Sequence, residues 1–396
     1  MSWPTATLDS ISEVVRGVTF SKADAESDLR EGLLPVLRAG NIAETLNIES
    51  DLVYVDQGRI SEKQRLRPKD IVVCTSSGSA SVLGKSAMLG QEWQGSFGAF
   101  LATVRTDSHV ADPDFVGHYL RSPRFRAWAS NSAGIGIKNI RASDLKKIEI
   151  PLPPLEEQKR IAGILDQAVE LCRLRTRTLD KLNSLGQAIF HEMFGDVAQN
   201  SMGFRRGTVG DLAAETQYGT SEKARETGPL PVLRMNNLTY DGRMDLASLK
   251  YMDLKASDFA KYTVVAGDML FNRTNSPDLV GKTAVYRGQS PMAFAGYLVR
   301  LRANAEGNTD YISAVLNSAY GKATLRGMCK SIIGMANINA KELCKISLPI
   351  PPRQLQDAFS NRLSEVDKER PKFEAAIAES NTLFASLQHR AFRGEL

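Results

Sequence analysis

Residues 151–166 read PLPPLEEQKRIAGILD, and residues 348–367 read LPIPPRQLQDAFSNRLSEVD. In both, a short apolar run is stopped by prolines, which lack the N–H a sheet needs, and passes directly into a helical pattern. Pro151, Pro153 and Pro154 correspond to Pro349, Pro351 and Pro352, and Gln158, Ile161 and Leu165 to Gln356, Phe359 and Leu363. The offset, 349 minus 151, is 198, half of the 396 residues of the chain. The sequence is a tandem duplication, each half a globular part followed by a helix.

From Leu155 onward the apolar period becomes helical. Positions 161, 165, 168, 172, 175, 179, 182, 186, 189 and 193 carry Ile, Leu, Ala, Cys, Arg, Leu, Leu, Gly, Ile and Met. This four-three spacing is apolar or small everywhere except Arg175 and predicts a helical rod of about 60 Å that needs a partner. The matching positions after Arg353 supply that partner. Ile161, Leu165, Leu179, Leu182 and Ile189 on the first helix, and Phe359, Leu363, Phe373, Ile377, Phe384 and Leu387 on the second, are the expected pairing and docking residues. Phe373 and Phe384 stand where the first helix has Arg175 and Gly186, a trade of volume expected if these positions pack on each other. Pro371 is expected to kink or break the second helix near residues 368–370.

The globular halves repeat as well. LPVLRAGNI at 34–42 returns as LPVLRMNNL at 230–238, and FGAFLATVR at 97–105 as FAGYLVRLR at 294–302. KDIVVCTSSGSASVLGKSAM at 69–88 returns as GDMLFNRTNSPDLVGKTAV at 267–285, and IRASDLKKIEIPLPP at 140–154 as INAKELCKISLPIPP at 338–352. Short apolar runs between polar turns, with two short helices near 114–120 and 124–131, predict a mixed α/β domain whose strands form one curved sheet. The framework repeats while the loops diverge, which predicts two sites of different specificity.

Composition is globular, with 42% apolar and 24% charged residues. No run approaches the roughly 18 apolar residues of a membrane span, and the start has no secretory pattern. Cys74, Cys172, Cys329 and Cys344 are scattered without a CxxC pair, which fits a reducing cytoplasm and no structural zinc. GSASVLGKS at 78–86 imitates a phosphate-binding loop, but it has five residues between its glycines where four are needed. No catalytic or metal-ligating constellation stands out elsewhere. The positive signal is charge. Arg121, Arg124, Arg126, Lys138, Arg141, Lys146 and Lys147 face Asp144 alone within 121–147, and Lys322, Arg326, Lys330, Lys341 and Lys345 face Glu342 alone within 322–345. Matched basic stretches suit a phosphate backbone.

The candidate DNA contacts are Arg38, Thr75, Ser76, Ser77, Ser79, Lys85, Lys138, Asn139 and Arg141 in the first half. In the second they are Arg234, Asn272, Arg273, Thr274, Asn275, Lys282, Asn337 and Asn339. Arginine pairs with guanine and asparagine with adenine in the major groove, and hydroxyls serve either.

The duplicated strand, PLPP and EQ-containing helix, with IEIPLPPLEEQKRIAGILD at 148–166, resembles the specificity subunit of type I restriction–modification systems. The resemblance covers the whole chain, although Glu156-Glu157-Gln158 becomes Gln354-Leu355-Gln356 in the second copy. It implies α/β (α+β) target-recognition domains at 1–150 and 199–350, with spacer helices at 151–198 and 351–396. The helices would form an antiparallel coiled coil in a pseudo-two-fold symmetric chain. It further implies a non-catalytic, cytoplasmic subunit that reads one half of a bipartite, asymmetric double-stranded DNA site with each domain. The helices would fix half-site spacing and dock two modification subunits, and through them restriction subunits. S-adenosylmethionine, ATP and Mg would belong to those partners, with no cofactor or metal on this chain. Two alternatives remain open: a coiled-coil scaffold whose basic domains bind protein or RNA, and a nucleotide-hydrolysing enzyme using Lys85.

Overall fold

The computed structural model of the chain describes residues 3–79, 81–131, 138–277, 279–329 and 336–396, with the side chain of Lys138 outside that description. The chain divides into two compact units, Met1–Thr176 with Ala375–Leu396, and Arg177–Glu374. Among the described residues no helix is long and apolar enough to cross a membrane.

In the first unit the main sheet runs in the order Ser12–Arg16, Leu101–Thr106, Ile71–Cys74, Ser86–Met88, with every neighbour antiparallel. Ile71 and Val73 face a core shared with the helices Pro113–Arg121 and Pro123–Asn131, alongside Phe115, Leu120 and Phe125. Val72 and Cys74 face the opposite core, with Leu37 and Phe97. Those last two belong to a second sheet, ordered Val53–Asp56, Leu33–Leu37, Ser96–Phe97. Both faces of the main sheet are therefore buried, and the single curved sheet expected from sequence is replaced by a layered pair. A strand covered on both sides shows no alternation of polar and apolar residues, so its layers cannot be counted from sequence.

The second unit repeats this plan. Its main sheet runs Ala213–Tyr218, Leu298–Ala303, Met269–Asn272, Thr283–Val285. Its second sheet, Lys250–Met252, Leu230–Leu233, Met292–Phe294, gains a fourth strand at Thr263–Val264. The covering helices are Thr309–Asn317 and Ala319–Met328.

The two long helices are Leu155–Phe194 and Arg353–Ala391. In the first unit, Ile161 and Leu165 are fully buried in a cluster to which Phe384, Leu387, Ala391 and Phe392 also belong. Arg175 donates to the Ala376 carbonyl and to the Ser380 hydroxyl. In the second unit, Phe190 packs edge-on against Phe359, Gly186 faces Leu363, and Arg370 donates to Asn183. Rising numbers on one helix meet falling numbers on the other in both units, so the pairing is antiparallel. Leu179, Leu182, Ile189, Phe373 and Ile377 are half-buried, as are Phe384 and Leu387. Phe190 and Phe194, off the expected seam, are more deeply buried than Ile189.

The second helix runs unbroken through Pro371, against a break near residues 368–370. The lost i−4 bond there is outweighed by packing around it: Val366 is buried and Arg370 is bonded to Asn183. Phe384 packs against the first unit's core cluster, while Gly186 in the second unit lies beside Leu363. Gly186 borders a cavity of about 760 Å³ in the second unit, lined in part by Phe190, Leu246, Tyr286, Phe359 and Leu363.

Each helix start is fastened by its repeated glutamine. Gln158, 1% exposed, donates to the Pro153 carbonyl (2.8 Å) and accepts from the backbone N–H of Asp112 (2.9 Å). Asp112 caps the helix Pro113–Arg121 by accepting from the N–H of Phe115. Gln356 does the same between Pro351 and Asn308 and donates once more, to the Glu306 carbonyl. The glutamine in PLPPLEEQ is thus a bracket between the spacer helix and the unit it follows.

Candidate nucleic-acid interface

In each unit the main sheet continues past its last core residue into a small antiparallel ribbon. Ser76–Ser77 pairs with Lys138–Asn139 in the first, and Thr274–Asn275 with Ala336–Asn337 in the second. A buried isoleucine anchors each return strand: the Ile140 N–H donates to Thr75 O (2.7 Å), and the Ile338 N–H to Arg273 O (2.8 Å). A two-stranded ribbon is one of the shapes that fits the major groove of DNA.

The candidates divide sharply. Ser76 and Ser77 are half-exposed, and Ser79, Lys85, Asn139 and Arg141 are exposed. Thr274 and Asn275 are half-exposed, and the Thr274 hydroxyl donates to the side chain of exposed Asn337 (3.0 Å). Arg273 is held over the Tyr218 ring, 5.0 Å from its centroid, and donates to the Gly296 carbonyl. Asn339 is used locally, capping the helix Ala340–Cys344 by accepting from the N–H of Glu342. The side chain of Lys138 lies outside the described residues, as does Lys330 of the second basic stretch.

Three candidates are corrected by burial. Thr75 is 7% exposed and its hydroxyl donates inward to the Phe100 carbonyl. Asn272 is fully buried beneath the ribbon, donating to Leu279 O. Lys282 is 8% exposed, and burial pushes its ammonium pKa down. The repeat aligns Asn272 with buried Cys74, so its polarity misled where its position did not. Arg38 and Arg234 also hold their own loops, donating to the carbonyls of Asp51 and Ser248.

The basic stretches are partly structural. Arg126 donates to Ser81 O (2.6 Å), Lys146 pairs with Asp9, and burial lowers the pKa of Arg121, which donates to Gly117 O. Arg124, Arg141 and Lys147 in the first unit, and Lys341 and Lys345 in the second, stand exposed. Lys322 lies over the Tyr240 ring and donates to Asn317; burial first, and the neighbouring Lys282 second, push it down to about 8.

The phosphate-loop imitation has a structural cause. Gly84 and Gly281 have φ of +71° and +78°, and a Cβ on either would lie 2.6 Å from Ala129 or from Leu325 of the covering helix. Glycine is required there by the turn and by the helix beside it.

Comparison with known proteins points to one family. Residues 2–184 match the family model described as the type I restriction modification DNA specificity domain. The chain is 29% identical, over 100% of its length and 89% of the relative's, to the specificity subunit of the type I restriction enzyme EcoKI of Escherichia coli. It is 28% identical, with the same coverage, to the StySPI specificity subunit of Salmonella potsdam. Over its whole length the chain is similar to type I restriction enzyme specificity subunits, and over residues 2–184 to the specificity-domain family.

The fold agrees. The S subunit of the M. genitalium type I system is matched with a TM-score of 0.59 over 99% of this chain and 96% of that one, at 18% identity. A chain from a structure concerned with complex assembly and conformational transition of the type I R-M system is matched at 0.61, over 100% and 98%, also at 18% identity. In this chain the sequence reading passed over two exposed aromatics, Phe100 and Tyr297, although their repeat equivalence was visible in FGAF and FAGY.

Proposed function

We propose that each unit of this specificity subunit reads one half of a bipartite, asymmetric site in double-stranded DNA, chiefly through the major groove. The observation that carries this reading is the duplicated ribbon, with one backbone and different side chains. Ser76, Ser77 and Asn139 occupy it in one unit, and Thr274, Asn275 and Asn337 in the other. Hydroxyls and amides are the groups that read base edges, and the exposed Arg124, Arg141, Lys147, Lys341 and Lys345 supply salt-dependent attraction to phosphates. The two long helices set the distance between half-sites and dock two modification subunits, through which restriction subunits join. The chain supplies recognition and no chemistry. S-adenosylmethionine sits on the modification subunits, which methylate adenine N6 on each strand, and ATP and Mg serve the restriction subunits.

Mapping N6-methyladenine across the host genome tests this directly. The expected motif is split, with two fixed half-sites around an unspecified spacer. Inserting four residues into the helix 155–194 should change the spacer and leave both half-sites intact. A continuous motif, or binding without sequence preference at moderate salt, would sink the proposal and leave a scaffold binding protein or RNA.

A further inference from the structure

Phe100 is 68% exposed and Tyr297 51%, at equivalent places in the two units. Single exposed apolar residues are ordinary on protein surfaces. What distinguishes this pair is the rigidity of its mounting and its recurrence between loops that otherwise differ.

Each aromatic sits in a β-turn that crosses from the second sheet to the main one. The Leu101 N–H donates to Gly98 O (2.8 Å), and the Leu298 N–H to Ala295 O (2.9 Å). The turn is pinned from two sides. In the first unit the Val18 N–H donates to Phe97 O and the Gly98 N–H to Leu37 O; in the second the Thr220 N–H donates to Phe294 O and the Ala295 N–H to Leu233 O. A Cβ on Gly17 would overlap the Gly98 carbonyl, and one on Gly219 the Ala295 carbonyl, so glycine admits this close approach in both units. The aromatic residue's own carbonyl then holds the entry to the ribbon. Phe100 O accepts from the N–H groups of Thr75 (2.9 Å) and Ser76 (3.1 Å), and Tyr297 O from that of Arg273 (3.0 Å). A ring kept in water on a fixed turn, one hydrogen bond from the base-reading ribbon, is preorganised for a flat apolar partner.

We propose that Phe100 and Tyr297 are the base-stacking side chains of this subunit, each laying its ring on a base of the half-site read by its own unit. This rests on the half-site reading above and adds to it a residue and a contact type. An enzyme complex that modifies a base must open the stack around it, which presents base faces to such a ring.

The test uses the full chain assembled with its modification subunits. Phe100→Ala should weaken binding to the cognate duplex by about tenfold or more, the range of one lost base stack. Affinity for a duplex with that half-site scrambled, and the salt dependence of binding, should stay unchanged, because no phosphate contact is lost. Tyr297→Ala should do the same for the other half-site. Phe100→Tyr and Tyr297→Phe should restore binding, and 2-aminopurine placed in each half-site should be quenched by the parent but not by the matching alanine variant. Full binding by Phe100→Leu would overturn stacking, since leucine offers apolar area without a ring. Wild-type binding by both alanine variants, in a complex that does methylate a split site, would overturn this inference and leave the half-site reading standing. A wild-type complex with no split site would remove that reading first.

Discussion

Asp70 and Arg105 in the first unit, and Asp268 and Arg302 in the second, form the same two-point ion pair at the same place in the main sheet. Beside this identity stands a contrast at the helix seam. The seam position taken by Phe384 in the first unit is Gly186 in the second, where a cavity opens. Buried polar groups are costly unless satisfied, so a duplicated polar bracket resists drift. An apolar seam tolerates exchange of volume, and there the halves have parted. The surfaces, where Ser76 answers Thr274 and Ser77 answers Asn275, have parted furthest.

The largest effect should come from cutting the shared ion pair. Asp70→Ala leaves Arg105, 15% exposed, without its carboxylate and should cost the first unit about 3–5 kcal/mol. Asp268→Ala should cost the second unit less, because Arg302 is more exposed and keeps Glu215. Hydrogen exchange resolved by unit checks both, and equal losses would break the comparison.

The glutamine brackets come next. Gln356→Leu removes three hydrogen bonds and Gln158→Leu two, each stranding buried backbone groups, for about 1–3 kcal/mol with the larger loss at Gln356. Denaturant unfolding of the two variants would rank them. At the divergent seam, Gly186→Ala should stabilise the second unit by up to about 1 kcal/mol, the helix penalty of glycine. The new Cβ meets Leu363 Cδ1 at 3.1 Å, and that methyl can retreat toward the cavity. Destabilisation in a thermal melt would show the gap to be rigid.

A further effect is a pH slope confined to one unit. Lys322 is pushed down to about 8 by burial and by Lys282. Below that pH both folded and unfolded states hold the proton, and the penalty of burying the charge is felt in full. Between about 8 and the ordinary lysine value near 10.4 the folded state releases its proton while the unfolded state keeps it. Stability of the second unit should therefore rise with pH across this window, and Lys322→Met should flatten the slope.

The duplication, the two long helices and the family likeness were legible because prolines, a four-three period and an offset of 198 are properties of the chain itself. The layering was not, because Ile71–Cys74 is apolar at every position and points into two cores at once. Among site candidates, the sequence located the ribbons but not their orientation. Thr75 lies one position and Asn272 two positions before its ribbon, and both still face inward, since their side chains bond to carbonyls inside the unit, Phe100 O and Leu279 O. Pro371 misled because propensity acts locally while the neighbouring helix acts on a whole face.

The Trp3 indole donates to the Ala391 carbonyl (3.2 Å), 388 positions away in sequence, and Phe392 packs edge-on against Phe115 and Tyr119. The core of the first unit therefore closes only after the second long helix has been synthesised, so the half that emerges first from the ribosome is the last to be finished.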